Sequence, residues 1–292
     1  MKNQNLLAWG LLLILSLIWG SSFILIKRGL EVFSPGEVGA LRILAACLFL
    51  IPVSVPKVRQ ISWHFQKLLF AIGLLGSFIP AFLFAIGQTR LDSGITGVLN
   101  GLTPIFVLVI GAAFYKQKVT RDKLIGLMMA FIGTAVLLTA GSGGDISQLN
   151  FYALFIVLAT LCYGTNLNVI KFHLAELNPV VITSVSILFV GPLAAIYLLG
   201  FTDFTVVLAE TPGAWKALGY ISLLGILGTA IALILFNRLV QMTTPIFTST
   251  VTYFIPIVAI IWGLIDGEVL ITGQIIGIVS IFAGVFITNR RK

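Results

Sequence analysis

A chain that writes one long pattern twice must fold into two like units that pack against each other, and here the repeat is legible residue by residue. Displaced by 144 positions, Trp19-Gly20-Ser21-Ser22-Phe23-Ile24-Leu25-Ile26-Lys27 returns as Tyr163-Gly164-Thr165-Asn166-Leu167-Asn168-Val169-Ile170-Lys171. Pro35 falls on Pro179, and Ile43-Leu44 on Ile187-Leu188. The displacement then drifts to 152, pairing Gly73 with Gly225, Gly76 with Gly228, Phe84 with Phe236 and Pro104 with Pro256. At 151, Gly126 meets Gly277 and Gly133 meets Gly284. The pattern is that of one unit of about five helices repeated once.

Composition says where such a unit lives. With 59% hydrophobic and 10% charged residues and a mean hydropathy of +1.10, the chain carries more apolar surface than a soluble core of this length can hide. Apolar runs fall at 6–27, 35–53, 68–88, 94–115, 123–140, 151–171, 179–200, 214–237, 244–264 and 272–289, each about long enough for a ~30 Å hydrocarbon layer. The fold class expected is therefore an all-α integral membrane protein of ten transmembrane helices in two inverted five-helix repeats. The first repeat occupies 1–140, a Gly/Ser-rich linker 141–150 and the second repeat 151–292. Lys2 and the run from Leu6 have the outline of a secretory signal peptide. The run continues to Ile26 and its motif recurs in mid-chain, so it reads as the first helix.

Charge orients the bundle. If the N-terminus is cytoplasmic, thirteen of the eighteen basic residues fall in inner segments, and only Lys27, Arg28, Arg90 and Lys216 in outer ones. The Lys/Arg excess marks the cytoplasmic side, so both termini are expected there, in a multi-pass protein of the cell inner membrane. The net charge of +8 is spread over several loops and both ends, so it is a topology signal and not a nucleic-acid surface. Because five is odd, the second repeat must cross the membrane in the opposite sense to the first. The two aromatic motifs then lie near opposite mouths, as alternating access requires.

Trp19-Gly20-Ser21-Ser22-Phe23, Pro35 with Arg42, the steps at Pro104 and Pro256, and Gly267-Glu268 followed by Gly277 and Gly284 together resemble the EamA family of the drug/metabolite transporter superfamily. The resemblance covers essentially the whole chain. It implies ten helices, cytoplasmic termini and export or exchange of small polar metabolites, often amino acids. One departure is plain: the first-repeat position matching Glu268 is Gln117.

Intramembrane polar groups define the candidate site. Pro104 and Pro256 each remove a donor and release the carbonyl four residues back, on Asn100 and Thr252. Thr103 and Tyr253 stand beside them, with Thr248, Ser249 and Thr250 nearby. Asn100, Thr103, Thr252 and Tyr253 are candidate substrate ligands; the alternative is that the prolines only kink packed helices. Arg42 is a candidate for a substrate carboxylate, but it could pair with Glu37 or snorkel to the outer headgroups. Glu37 is the candidate for gating or coupling. Trp19 and Ser22, with Tyr163 and Asn166 in the second copy, are further candidate substrate ligands, set where two gates would close over the cargo, the aromatics serving otherwise as packing anchors. Gly126 with Gly133, and Gly277 with Gly284, are each spaced seven apart and read as helix-packing positions.

Signals for an enzyme are sparse. His64 and His173 lack metal-type neighbours, Cys47 and Cys162 lie in different apolar runs, and no phosphate-binding glycine loop occurs. Neither a cofactor, a metal nor ATP is expected. The partners expected are a small-molecule substrate and the lipid bilayer, with homodimerisation left open. The function expected is a secondary transporter of small polar metabolites, amino acids foremost. The alternatives are a nucleotide-sugar carrier and, in another class, an integral membrane transferase. A C-terminal reporter active only in the cytoplasm should be active, and one inserted after Gly143 should report the periplasm. A periplasmic C-terminus would mean an odd number of spans was miscounted.

Overall fold

The computed structural model describes residues 2–117, 120–141, 151–242 and 251–289, and among these no strand occurs. All-helical architecture is what hydrocarbon demands, since each helix satisfies its own backbone. In chain order the helices are α1 (Leu6–Leu30), α2 (Pro35–Val58), α3 (Trp63–Gly87), α4 (Ser93–Tyr115), α5 (Arg121–Gly141), α6 (Ala153–His173), α7 (Pro179–Gly200), α8 (Ala214–Leu239), α9 (Val251–Ile265) and α10 (Thr272–Asn289). A short helix, Phe204–Glu210, joins α7 to α8. Seven of these, α1 to α4 and α6 to α8, are long and apolar enough to cross a membrane, and α9 and α10 carry shorter apolar stretches. The linker expected at 141–150 lies, from 142 on, outside the described residues, as do Thr248, Ser249 and Thr250.

Local chemistry sets several ends. α2 opens on a capping box: the Ser34 hydroxyl accepts from the Glu37 amide, the Glu37 carboxylate accepts from the Ser34 amide, and Pro35 takes the first position, where no N–H is needed. α7 also has a proline first, Pro179, and is capped from one side only, the Asn178 side chain accepting from the Val180 amide. Besides the interruption of α1 at Ser21, between Lys2–Gly20 and Ser22–Leu30, three helices depart from regularity. α4 breaks between Asn100 and Thr103, where Gly101 and Leu102 donate back only three residues, to Val98 and Leu99. α3 and α8 carry π-helical turns at Leu74–Phe78 and Leu224–Ile231. Pro80 explains the first, for its ring excludes the carbonyl four residues back. The second contains no proline.

The packing between halves recurs with partners exchanged. Gly20 of α1 lies against Val258 of α9, and its repeat mate Gly164 of α6 against Phe106 of α4. Gly225 of α8 lies under the Arg42 carbonyl of α2, and Gly73 of α3 under the Ser186 carbonyl of α7. α5 and α10 form a peripheral pair of their own. A Cβ on Gly277 would stand 2.6 Å from the Leu137 amide nitrogen, and one on Gly133 2.7 Å from that of Ile281. These glycines let two backbones touch, as their spacing suggested.

Charged side chains gather where α1 ends, α4 begins and the α9–α10 loop turns. Glu268 Oε1 accepts from the Ser93 amide (2.9 Å), the Ser93 hydroxyl (2.7 Å) and Lys27 Nζ (2.9 Å), and Oε2 from the Gly94 amide (3.0 Å). Lys27 also reaches Asp266 at 2.7 Å, and Arg28 pairs with both Asp266 and Glu31. Burial opposes the charge on Glu268, but hydrogen bonds from the Ser93 hydroxyl, the Gly94 amide and Lys27 prevail and hold its carboxyl below the usual carboxylate range. The Lys27 hydrogen bond does the same for Asp266. Asp92 moves the other way, raised by burial and by its neighbour Glu268. A carboxylate depressed in the folded state contributes stability above its unfolded pKa, about 4.3 for Glu, and loses it as pH falls through the folded value. The unfolding midpoint of the native protein in detergent should therefore exceed that of Glu268→Gln at pH 6–8. The gap should close as pH falls below about 4; a gap that persisted there would remove the carboxylate from the account.

Candidate functional site

A central cavity of about 160 Å³ lies between the two halves, walled by α1 to α4 and α6 to α9. It gathers Trp19, Ser22, Arg42, Asn100, Thr103, Tyr163, Asn166 and Thr252, which the sequence scatters over several helices. The Tyr253 side chain lies outside the described residues. Glu37 is absent from the wall: buried at the start of α2, its carboxylate holds the Ser34 amide and hydroxyl, both at 2.8 Å.

The irregular backbone stands at this wall. At the break in α4 the Asn100 carbonyl, released by Pro104, accepts from the Thr103 hydroxyl at 2.8 Å. The π turn of α3 brings Gly76 and Ser77 to the cavity, and that of α8 brings Gly228 and Thr229. Trp19 donates its indole N–H to the Gly228 carbonyl at 2.9 Å and packs on Phe236, ring centroids 5.1 Å apart. Their repeat mates meet likewise, Tyr163 stacking on Phe84 at 5.9 Å. Gly76 leaves room for the Asn166 side chain: a Cβ there would lie 2.7 Å from its amide nitrogen and push that side chain aside.

The polar groups fall into two kinds. Arg42 neither snorkels nor pairs with Glu37. Its Nε donates to Thr229 Oγ1 at 2.9 Å, and its guanidinium also faces the Tyr163 hydroxyl. The side-chain oxygens of Asn100 and Asn166 are buried and accept no hydrogen bond among the described residues. Leaving such an acceptor unmet costs about 1–3 kcal/mol, so each is a place for a ligand's donor. Among the described lining residues no Asp or Glu appears. Asn168, next but one to Asn166, is structural: its amide donates to the carbonyls of Val107 and Gly164, both at 2.9 Å, tying α6 to α4.

Sequence reasoning missed Ser77, Thr183, Ser186, Thr229 and Asn237, which line the same cavity. Asn237 donates to Thr183 Oγ1 at 3.0 Å. A usable signal existed for one pair, since Ser77 and Thr229 occupy matched positions directly after Gly76 and Gly228. Thr183 and Asn237 carried none, being 54 residues apart.

Among the described residues no cluster of His, Cys, Asp and Glu could hold a metal, and Cys47 and Cys162 are free thiols. An uncharacterized transporter of Archaeoglobus fulgidus is 25% identical over 287 residues, covering 97% of this chain and 99% of that protein. The uncharacterized inner membrane transporter YedA of Escherichia coli is 25% identical over 298 residues, covering 98% and 92%. A probable amino-acid metabolite efflux pump of Salmonella typhimurium is 29% identical over 151 residues, about half of each chain. One solved crystal structure superposes over 98% of this chain and 96% of its own with a TM-score of 0.65 at 16% identity, which speaks to the fold alone. The model of the EamA-like transporter family matches residues 6–139 and again 150–290. A multi-pass membrane protein matched over both halves by that model belongs to the family: the chain is an EamA-like transporter of the drug/metabolite type.

Proposed function

We propose that the chain crosses the inner membrane ten times as two inverted repeats, 1–140 and 151–292, with both termini cytoplasmic. It exports small polar metabolites, amino acids foremost, by alternating access around the central cavity. The exchanged contacts support the two-repeat reading, because a two-fold relation makes each contact twice with the halves interchanged. The family model's two matches support it as well.

The observation that carries the substrate reading is the polarity of the cavity. Arg42 offers a cation to a carboxylate, while the unmet oxygens of Asn100 and Asn166 call for hydrogen-bond donors such as an ammonium. A zwitterion supplies both. The half-length similarity to a probable amino-acid metabolite efflux pump points the same way. A nucleotide sugar would bring at least two phosphate charges to a wall where Arg42 is the only charged side chain among the described residues. With no lining carboxylate among those residues, we infer that net flux follows the substrate's own gradient. Glu37 is the alternative coupling group, at the expense of the α2 cap.

In proteoliposomes, uptake of labelled amino acids should continue with pH gradient and membrane potential collapsed. Arg42→Gln and Asn100→Leu should each lower it about tenfold to a hundredfold, as losses of about 1.5–3 kcal/mol in charged or unmet contacts imply. If uptake stopped under collapsed gradients and Glu37→Gln abolished coupling, the facilitator reading would fail. Unchanged uptake in both cavity variants would remove the site.

A further inference from the structure

The exchange of contacts between halves breaks down at Glu268. Its carboxylate receives four hydrogen bonds, three from Ser93 and Gly94 at the start of α4 and one from Lys27 near the end of α1. The matched position in the first repeat is Gln117, and the position matched to Ser93 is Pro245, which has neither an N–H nor a hydroxyl to give. Gln117 makes instead a 3.5 Å contact with the Asn168 amide oxygen, long for a hydrogen bond. One mouth is thus tied by charge-assisted bonds; at the other the sequence keeps a cation, Lys171, in the place of Lys27, but has a neutral amide for the carboxylate and a proline for the Ser93 donors.

The tied mouth borders the cavity directly. Lys27 follows Ile26, which lines it, and Ser93 stands two turns before Asn100, about 10 Å along the helix. Toward the opposite end the wall continues to Ile170, Ile182 and Asn237, near the end of α6, the start of α7 and the end of α8.

We propose that Glu268 is a one-sided latch. By holding α1 to α4 it closes the cavity at the Lys27 mouth, and because Gln117 offers no equivalent, the resting protein keeps the cavity accessible from the other, cytoplasmic side. The sidedness rests on the orientation proposed above; the latch does not. Glu268 touches no cargo and acts through the two helices it joins, so it is a positioning residue. Moving to the opposite state requires those four bonds to part, which biases the equilibrium as strongly as the bonds outweigh their replacement by water.

The test is sided accessibility. In a background with Cys47 and Cys162 replaced by alanine, Ser22→Cys places one thiol on the cavity wall. A membrane-impermeant thiol reagent is applied from each face of oriented vesicles. The parent should react from the cytoplasmic face and slowly from outside. Adding Glu268→Gln should raise the outside rate about tenfold or more, and Ser93→Ala by less. An unchanged outside rate in Glu268→Gln that elutes as a folded species overturns the latch. If Glu268→Gln aggregates, Lys27→Gln replaces it; this keeps the carboxylate on α4 and should give an intermediate rise, while no rise again overturns the proposal. Should the parent react only from outside and Glu268→Gln open the cytoplasmic face, the latch stands and the orientation is reversed.

Discussion

In hydrocarbon every backbone N–H and C=O must find a partner within the protein, and the central cavity lies where three helices meet that demand irregularly. α4 breaks at Gly101 and Leu102, and α3 and α8 widen into π turns at Leu74–Phe78 and Leu224–Ile231. Groups set apart by these departures are served by cavity side chains: the Thr103 hydroxyl on the Asn100 carbonyl and the Trp19 indole on the Gly228 carbonyl. Non-helical backbone is tolerated at membrane depth only where protein or a cavity surrounds it. Irregularity, polarity and the void therefore coincide for one physical reason.

Close approach of backbones does the rest of the assembly. Lipid tails are as apolar as leucine, so helices gain from tight packing and not from hiding surface. Gly20 and Gly164, Gly73 and Gly225, and the glycines between α5 and α10 supply that packing. Since each glycine has a repeat mate, each contact is made twice, and the cavity is walled by paired positions that differ in chemistry. Ser22 faces Gly228 where Asn166 faces Gly76, and an indole at Trp19 answers a phenol at Tyr163. Those differences turn a duplicated scaffold into a site with distinct ends.

Charge is distributed sparingly for the same reason. Arg42 is carried into the cavity with Thr229 as partner, whereas Glu268, Asp266, Lys27 and Arg28 neutralise one another at a helix mouth. Isolated ions at membrane depth are costly, and these are either paired or turned toward a cavity. Asp92 is held apart from this balance, its carboxyl raised by burial and by Glu268.

The sequence alone determined the helical class and the duplication and named many of the residues that line the central cavity, because each was written locally. Apolar runs report their solvent, matched glycines report where helices touch, and an asparagine or arginine inside an apolar run reports a cavity or a partner on another helix, since lipid would not accept it. Hence Trp19, Ser22, Arg42, Asn100, Thr103, Tyr163, Asn166 and Thr252 are legible as site candidates in the chain itself, and all line one cavity. What only the tertiary structure decided were choices among partners. Arg42 had three candidate settings in sequence, and packing of α2 against α8 selected Thr229. Glu37, a coupling candidate in sequence, was placed by the fold as the cap of its own helix. The π turn of α8 has no proline to announce it, and Glu268 meets Ser93 across 175 residues. Such long-range pairings follow from how helices pack, which no local pattern in the chain encodes.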